Sequence, residues 1–167
     1  VTALKIGKDD LGEADLKLFN RALKEMRASS RVFAPYAHER KISVFGSART
    51  RPDQPEFEAA RRFSQRMNEV GFMTITGAGD GIMGAAQLGA GRDRSFGLNI
   101  KLPFEQSANE VIEGDHKLIT YNYFFTRKLA FVKEADAVVL FPGGFGTMDE
   151  GFEVMTLIQT SKAALLP

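Results

Sequence analysis

The sequence predicts an α/β fold of the Rossmann-like, doubly wound parallel-sheet type, one domain with an N-terminal helical extension. Three observations carry this. From Lys41 onward, short apolar runs rich in β-formers alternate with segments of helical period. Glycine-containing turns follow three of those runs, at Gly46-Ser47, Gly77–Gly84 and Gly143–Thr147. Strands separated by helices form a parallel sheet covered on both faces. No internal repeat or low-complexity linker divides the chain, so the expected division is residues 1–40 for the extension and 41–167 for the Rossmann-like domain.

The elements follow in order. Leu11, Leu16, Phe19, Leu23 and Met26 recur at helical spacing and predict one amphipathic helix, broken at Ser29, Ser30 and Pro35. Its apolar stripe is read as a docking surface. Lys41–Phe45 is the first core strand. Pro55 suits the first turn of a helix through Phe57, Phe63 and Met67, and Gly71 is placed to stop it. Phe72–Thr76 is the second strand. A helix carrying Ile82, Met83, Ala85, Ala86 and Leu88 follows, and Ser95–Leu102 is the third strand. Pro103-Phe104-Glu105-Gln106 leaves that strand for a polar loop. Lys117–Thr120 is a short fourth strand, Tyr123–Ala135 a helix and Ala137–Phe141 the fifth strand. Right-handed crossovers put every strand-to-helix turn on one edge, where ligands of such sheets bind.

Composition narrows the function. The chain has 167 residues, and 22 basic against 21 acidic groups leave a net charge of +1, which gives no support for a nucleic-acid surface. There is no cysteine, so disulfides and thiolate metal sites are excluded; this fits a reducing cytoplasm. The two histidines, His38 and His116, lie far apart in sequence, which argues against a histidine metal site or a Ser-His-Asp triad. No apolar run approaches the roughly 20 residues that span a bilayer, and residues 1–15 lack a hydrophobic signal core. Neither a membrane nor a metal is expected.

The most informative stretch is Pro142-Gly143-Gly144-Phe145-Gly146-Thr147-Met148-Asp149-Glu150, between an apolar strand and an apolar-periodic helix. Such a turn presents unpaired backbone N–H groups at a helix N-terminus, where anions bind, and glycine lets the chain approach a phosphate. Three glycine turns on one edge offer three sets of donors to one polar ligand. Thr147-x-x-Glu150 also reads as a capping box, so Thr147 caps the helix while Glu150 faces the ligand. Arg127-Lys128 opens the helix before the fifth strand; Arg127 is either half of a solvated basic pair or a fork for phosphate or carboxylate near the Gly143–Glu150 turn. Thr156 is either a back-bonded hydroxyl or a ligand contact. Gly79-Asp80-Gly81-Ile82-Met83-Gly84 has the spacing G-x-G-x-x-G, but Asn99 and Lys101 stand where a dinucleotide site needs an acid. The alternative is that these glycines serve tight turning and close helix–sheet packing.

Pro-Gly-Gly-Phe-Gly-Thr-Met-Asp-Glu, preceded by Thr126-Arg127-Lys128, resembles the LONELY GUY family of phosphoribohydrolases, whose members were often labelled lysine decarboxylases. The likeness runs from about Lys41 to Thr160. Phe45–Arg49, Gly77–Met83 and Gly97–Ile100 belong to it, the last two resembling the longer bacterial branch. The resemblance implies hydrolysis of the N-glycosidic bond of a nucleoside 5′-monophosphate such as AMP or a cytokinin riboside monophosphate. The products are ribose 5-phosphate and adenine or an N6-modified adenine. It implies Arg127 and Glu150 as the catalytic pair, Gly143, Gly144, Phe145, Gly146 and Thr147 as the phosphate turn, and substrate contacts at Lys128 and Thr156. It implies a homodimer and no cofactor. Gly84 stands where longer relatives tend to carry glutamate, which puts one polar contact in question. The family also continues past the Leu165-Leu166-Pro167 terminus into another strand and helices. Decarboxylation has little support, because it calls for pyridoxal phosphate on a lysine and no lysine here has a distinctive context. The rival reading is a noncatalytic carrier of a nucleotide or phosphorylated cofactor on the same fold.

Overall fold

The computed structural model describes residues 2–103, 107–163 and 167. The expected exit from the third strand at Phe104-Glu105-Gln106, and the terminal Leu165-Leu166, lie outside the described residues. The elements are α1 (Thr2–Ile6), α2 (Glu13–Phe33), a 3-10 turn (Ala34–Tyr36), β1 (Arg40–Phe45), α3 (Pro55–Glu69), β2 (Phe72–Thr76) and α4 (Ile82–Ala90). A second 3-10 turn (Arg92–Arg94), β3 (Ser95–Ile100), β4 (Leu118–Tyr121), α5 (Phe124–Glu134), β5 (Ala137–Leu140) and α6 (Phe145–Gln159) follow.

The five strands form one parallel sheet in the order β4-β3-β2-β1-β5. The chain winds outward from β1 to β4, then returns to the other side of β1. That reversal is a topological switch point, the place where open α/β sheets bind ligands. In the β1/β5 register Phe45 stands beside Leu140, so the turns leaving the two strands emerge level with each other.

Each face of the sheet is covered. Alternation along β1 sends Val44 to one side, with Ala60 of α3 and Ile82, Ala85 and Ala86 of α4. It sends Phe45 to the other, with Met73, Ile75, Phe96, Leu98 and Phe131 of α5. Phe33 of α2 stacks on Phe96 at 4.4 Å, which ties the extension to the sheet. Fully burying a side chain of this size contributes about 1.5–3 kcal/mol. α3 and α4 pack so closely that a Cβ on Gly89 would stand 1.9 Å from the Arg61 carbonyl oxygen.

Helix boundaries obey local chemistry at α3. Pro55 occupies the first turn, and Gly71, at φ +92°, follows its end. The reading of α2 requires correction. The helix passes through Ser29 and Ser30 to Phe33, because serine in a helix interior is only mildly unfavourable and Ser29 accepts a buried bond from the Tyr121 hydroxyl at 2.9 Å. Its docking face carries Glu25, Ser29 and Phe33. The stripe read as a docking surface, at Leu16, Phe19, Leu23 and Met26, is exposed instead. No described helix is long and apolar enough to cross a membrane.

Candidate active site

A cavity of about 700 Å³ opens above the switch point. The turn after β1 supplies Gly46, Ser47, Ala48 and Arg49, and the turn after β5 with the start of α6 supplies Gly144, Phe145, Gly146, Thr147 and Glu150. Arg127 and Phe124 of α5 and Asn99 of β3 complete its polar and aromatic walls. The volume falls within the range of small-molecule sites.

The two turns are fastened to each other. Ser47 N–H donates to the Pro142 carbonyl at 3.0 Å, and Phe141 N–H to the Phe45 carbonyl at 2.8 Å. The Ser47 carbonyl in turn accepts from Ile82 N–H at 3.0 Å. Gly81, at φ +63°, lets α4 start there, since a Cβ on it would lie 2.3 Å from the Ser47 carbonyl oxygen. The expectation that three turns would offer donors to one ligand is therefore corrected for Ser47, whose amide is occupied in holding the seam.

At the second turn the backbone does face the cavity. α6 begins at Phe145 with Gly144 as N-cap and no side-chain cap. Met148 N–H to the Gly144 carbonyl, at 3.1 Å, closes its first turn, so the N–H groups of residues 145–147 precede the helical ladder. The capping box is not formed: the helix starts two residues before Thr147, because the glycine turn already allows entry there. Thr147 instead lines the cavity, and Glu150 lies two residues into the second turn.

Glu150 and Arg127 meet at the cavity wall. Arg127 Nη2 donates to Glu150 Oε1 at 2.9 Å, and both side chains are about nine-tenths buried. The Arg127 guanidinium carbon lies 5.2 Å from the Phe124 ring centre and 5.7 Å from that of Phe131. Its Nε–H is buried with no partner among the described residues. An unpaired buried donor costs about 1–3 kcal/mol. Burial raises the Glu150 carboxyl above the ordinary carboxylate range, although Arg127 opposes the shift. Burial lowers the Arg127 guanidinium, which still keeps its proton.

The remaining expected residues fall elsewhere. Gly143 stands behind the wall, where a Cβ would meet the Thr147 hydroxyl at 2.1 Å. Lys128 pairs with Asp149 at 2.7 Å and Glu153 at 2.9 Å. Thr156 donates back to the Phe152 carbonyl at 2.8 Å. Neither Lys128 nor Thr156 lines the cavity. Gly81 and Gly84 border a second cavity of about 480 Å³, which shares Ala48 and Arg49 with the first. Arg49 and Asn99 were not singled out as ligand contacts; their positions after the carboxyl ends of β1 and late in β3 were the available signal. No lysine lines the main cavity among the described residues.

A parallel sheet with a cavity over its switch point, where a buried Arg127–Glu150 pair meets apolar walls, defines a Rossmann-like domain. A family model described as "Possible lysine decarboxylase" matches residues 82–167, more than half of the sequence. The chain belongs to that family. A search of curated proteins finds no match. Among solved structures, the X-ray structure of TM1055 is similar, at 23% identity and TM-score 0.54 over 71% of this chain and 69% of that one. The molybdenum cofactor carrier protein of Chlamydomonas reinhardtii is similar at 20% identity, TM-score 0.54 and 71% of each chain. The molybdenum cofactor binding protein of Rippkaea orientalis gives 22%, 0.53 and 71% of each. At these identities the likeness is one of fold.

Proposed function

We propose that the protein hydrolyses the N-glycosidic bond of a purine nucleoside 5′-monophosphate, releasing adenine or an N6-modified adenine and ribose 5-phosphate. The observation that carries this reading is the buried Arg127–Glu150 pair at 2.9 Å beside the open first turn of α6. The 5′-phosphate sits on the N–H groups of residues 145–147, where the helix dipole favours an anion. That contact is remote from the reacting bond and anchors the sugar over Glu150. As C1′–N9 breaks, positive charge develops on the ribose. The Glu150 carboxylate stabilises it or takes a proton from the water that forms the new C1′–O bond, while the departing purine gains its proton from solvent. Arg127 is too weak an acid to protonate the base; it orients Glu150 through its Nη2. Glycosidase chemistry with a 5′-monophosphate also fits the family, while no lysine among the described residues lines the cavity to form a Schiff base. A cytoplasmic homodimer that takes AMP or a cytokinin riboside monophosphate completes the proposal.

A noncatalytic carrier is the second reading. Two similar structures are described as molybdenum cofactor carrier or binding proteins, and the same cavity and N–H groups suit a phosphorylated cofactor. A product assay over several nucleoside monophosphates separates the two, with Glu150→Gln as control. Base release that falls at least about a hundredfold in Glu150→Gln supports the enzyme. Tight nucleotide binding without base release supports the carrier, and undiminished turnover by Glu150→Gln removes Glu150 from the chemistry.

A further inference from the structure

α5 begins without a side-chain cap of its own, at Tyr123. Its start is held instead by a residue nearly a hundred positions earlier. Glu25 of α2 is buried, 7% exposed. Its Oε1 accepts from Asn122 N–H at 2.8 Å and from Asn122 Nδ2 at 2.9 Å. Its Oε2 accepts from the Thr126 hydroxyl at 2.5 Å. A carboxylate here also complements the positive end of the α5 dipole. One turn of α2 further on, Ser29 accepts from Tyr121, whose phenol burial pushes up to about 12, so it remains a donor. Thr126 and Arg127 are neighbours in the first turns of α5, and both are buried.

We propose that Glu25 is a positioning residue for Arg127: by clamping Asn122 and Thr126 it fixes where α5 starts, and hence where the guanidinium meets Glu150. The inference rests on the site reading above. It explains why the docking face of α2 carries Glu25 and Ser29 beside Phe33, while Leu16, Phe19, Leu23 and Met26 stay exposed. The Phe33–Phe96 contact holds the helix but does not set the rotation and register of α5. Three directed bonds to two residues of one turn do.

The test follows the Arg127 Nε–H resonance in protein carrying 15N-arginine, alongside AMP hydrolysis. Glu25→Ala is expected to move that resonance and lower kcat about tenfold or more with a smaller change in KM, because a misplacement near 1 Å is enough. Glu25→Gln keeps an acceptor for Asn122 and turns its amide N–H to the Thr126 hydroxyl, whose own proton can go to the Tyr123 carbonyl at 2.9 Å, and is expected to restore most of both. Ser29→Ala loosens the same helix without touching α5 and is expected to leave both near wild type. If Glu25→Ala does not fold, Thr126→Val, which removes the hydroxyl that Glu25 Oε2 and the Tyr123 carbonyl share and leaves Glu25 on Asn122, is read in the same way. An unmoved resonance in folded Glu25→Ala or Thr126→Val overturns the inference, as does an equal effect from Ser29→Ala. If the wild-type protein releases no base, the glycosidase reading fails, and the resonance alone decides the role of Glu25.

Discussion

Replacing Arg127 by methionine should destabilise the protein by an amount that shrinks as pH falls. Removing one member of a buried ion pair typically costs 3–5 kcal/mol, because the other charge stays buried. Here Glu150 is 8% exposed, yet it borders an open cavity and receives a single bond from Arg127, so the lower end, about 3 kcal/mol, applies near pH 8. The sign follows from proton counting. Burial already holds the folded Glu150 above its unfolded value of about 4.3, and loss of Arg127 raises it further. Between those two values the folded state binds more protons than the unfolded one, so stability falls as pH rises. The deficit of Arg127→Met is therefore largest at pH 8 and narrows toward pH 5. Urea denaturation at several pH values measures it, with Arg127→Met/Glu150→Gln expected to recover most of the loss. A deficit that is flat or grows toward low pH, or a double variant no better than the single one, would refute the buried-pair argument.

Three further outcomes can be checked separately. If Glu150 must be ionised for base release, the acid limb of kcat/KM should lie above the ordinary glutamate range, since burial raises the folded carboxyl; a limb near 4 would count against this. Gly89→Ala should lower the thermal midpoint sharply, at a cost of about 3 kcal/mol or more, because its Cβ would press 1.9 Å from backbone that α3 cannot withdraw. Phe145→Ala should change stability by less than about 0.5 kcal/mol, since the ring is 95% exposed, while weakening AMP binding in calorimetry through loss of a cavity wall.

Much of the framework could be read locally. Pro55 and Gly71 mark the two ends of α3 by their own φ preferences, and the Phe72–Thr76 run is β2 to the residue. Spacing at α6 misled: Thr-x-x-Glu looks like a cap, but Gly144 admits the helix earlier, which leaves Thr147 on the cavity wall. Long-range polar partners were out of reach. Nothing near Ser47 shows that its amide is taken by Pro142, and nothing near Glu25 shows that it serves Asn122 and Thr126. The apolar period of α2 drew attention to its leucines, although the docking contacts include two polar side chains. Arg127 could be brought near Glu150 from topology, since α5 ends where β5 begins; the separation and the idle Nε could not.

The bond from Ser47 to Pro142 makes the floor of the pocket a closed stitch between two lengths of chain remote in sequence. Those turns must then travel together, so an incoming molecule meets a seat already assembled at folding and loses little freedom in settling there. An extra residue inserted after Gly46 would open the stitch and loosen a wall to which it is not attached.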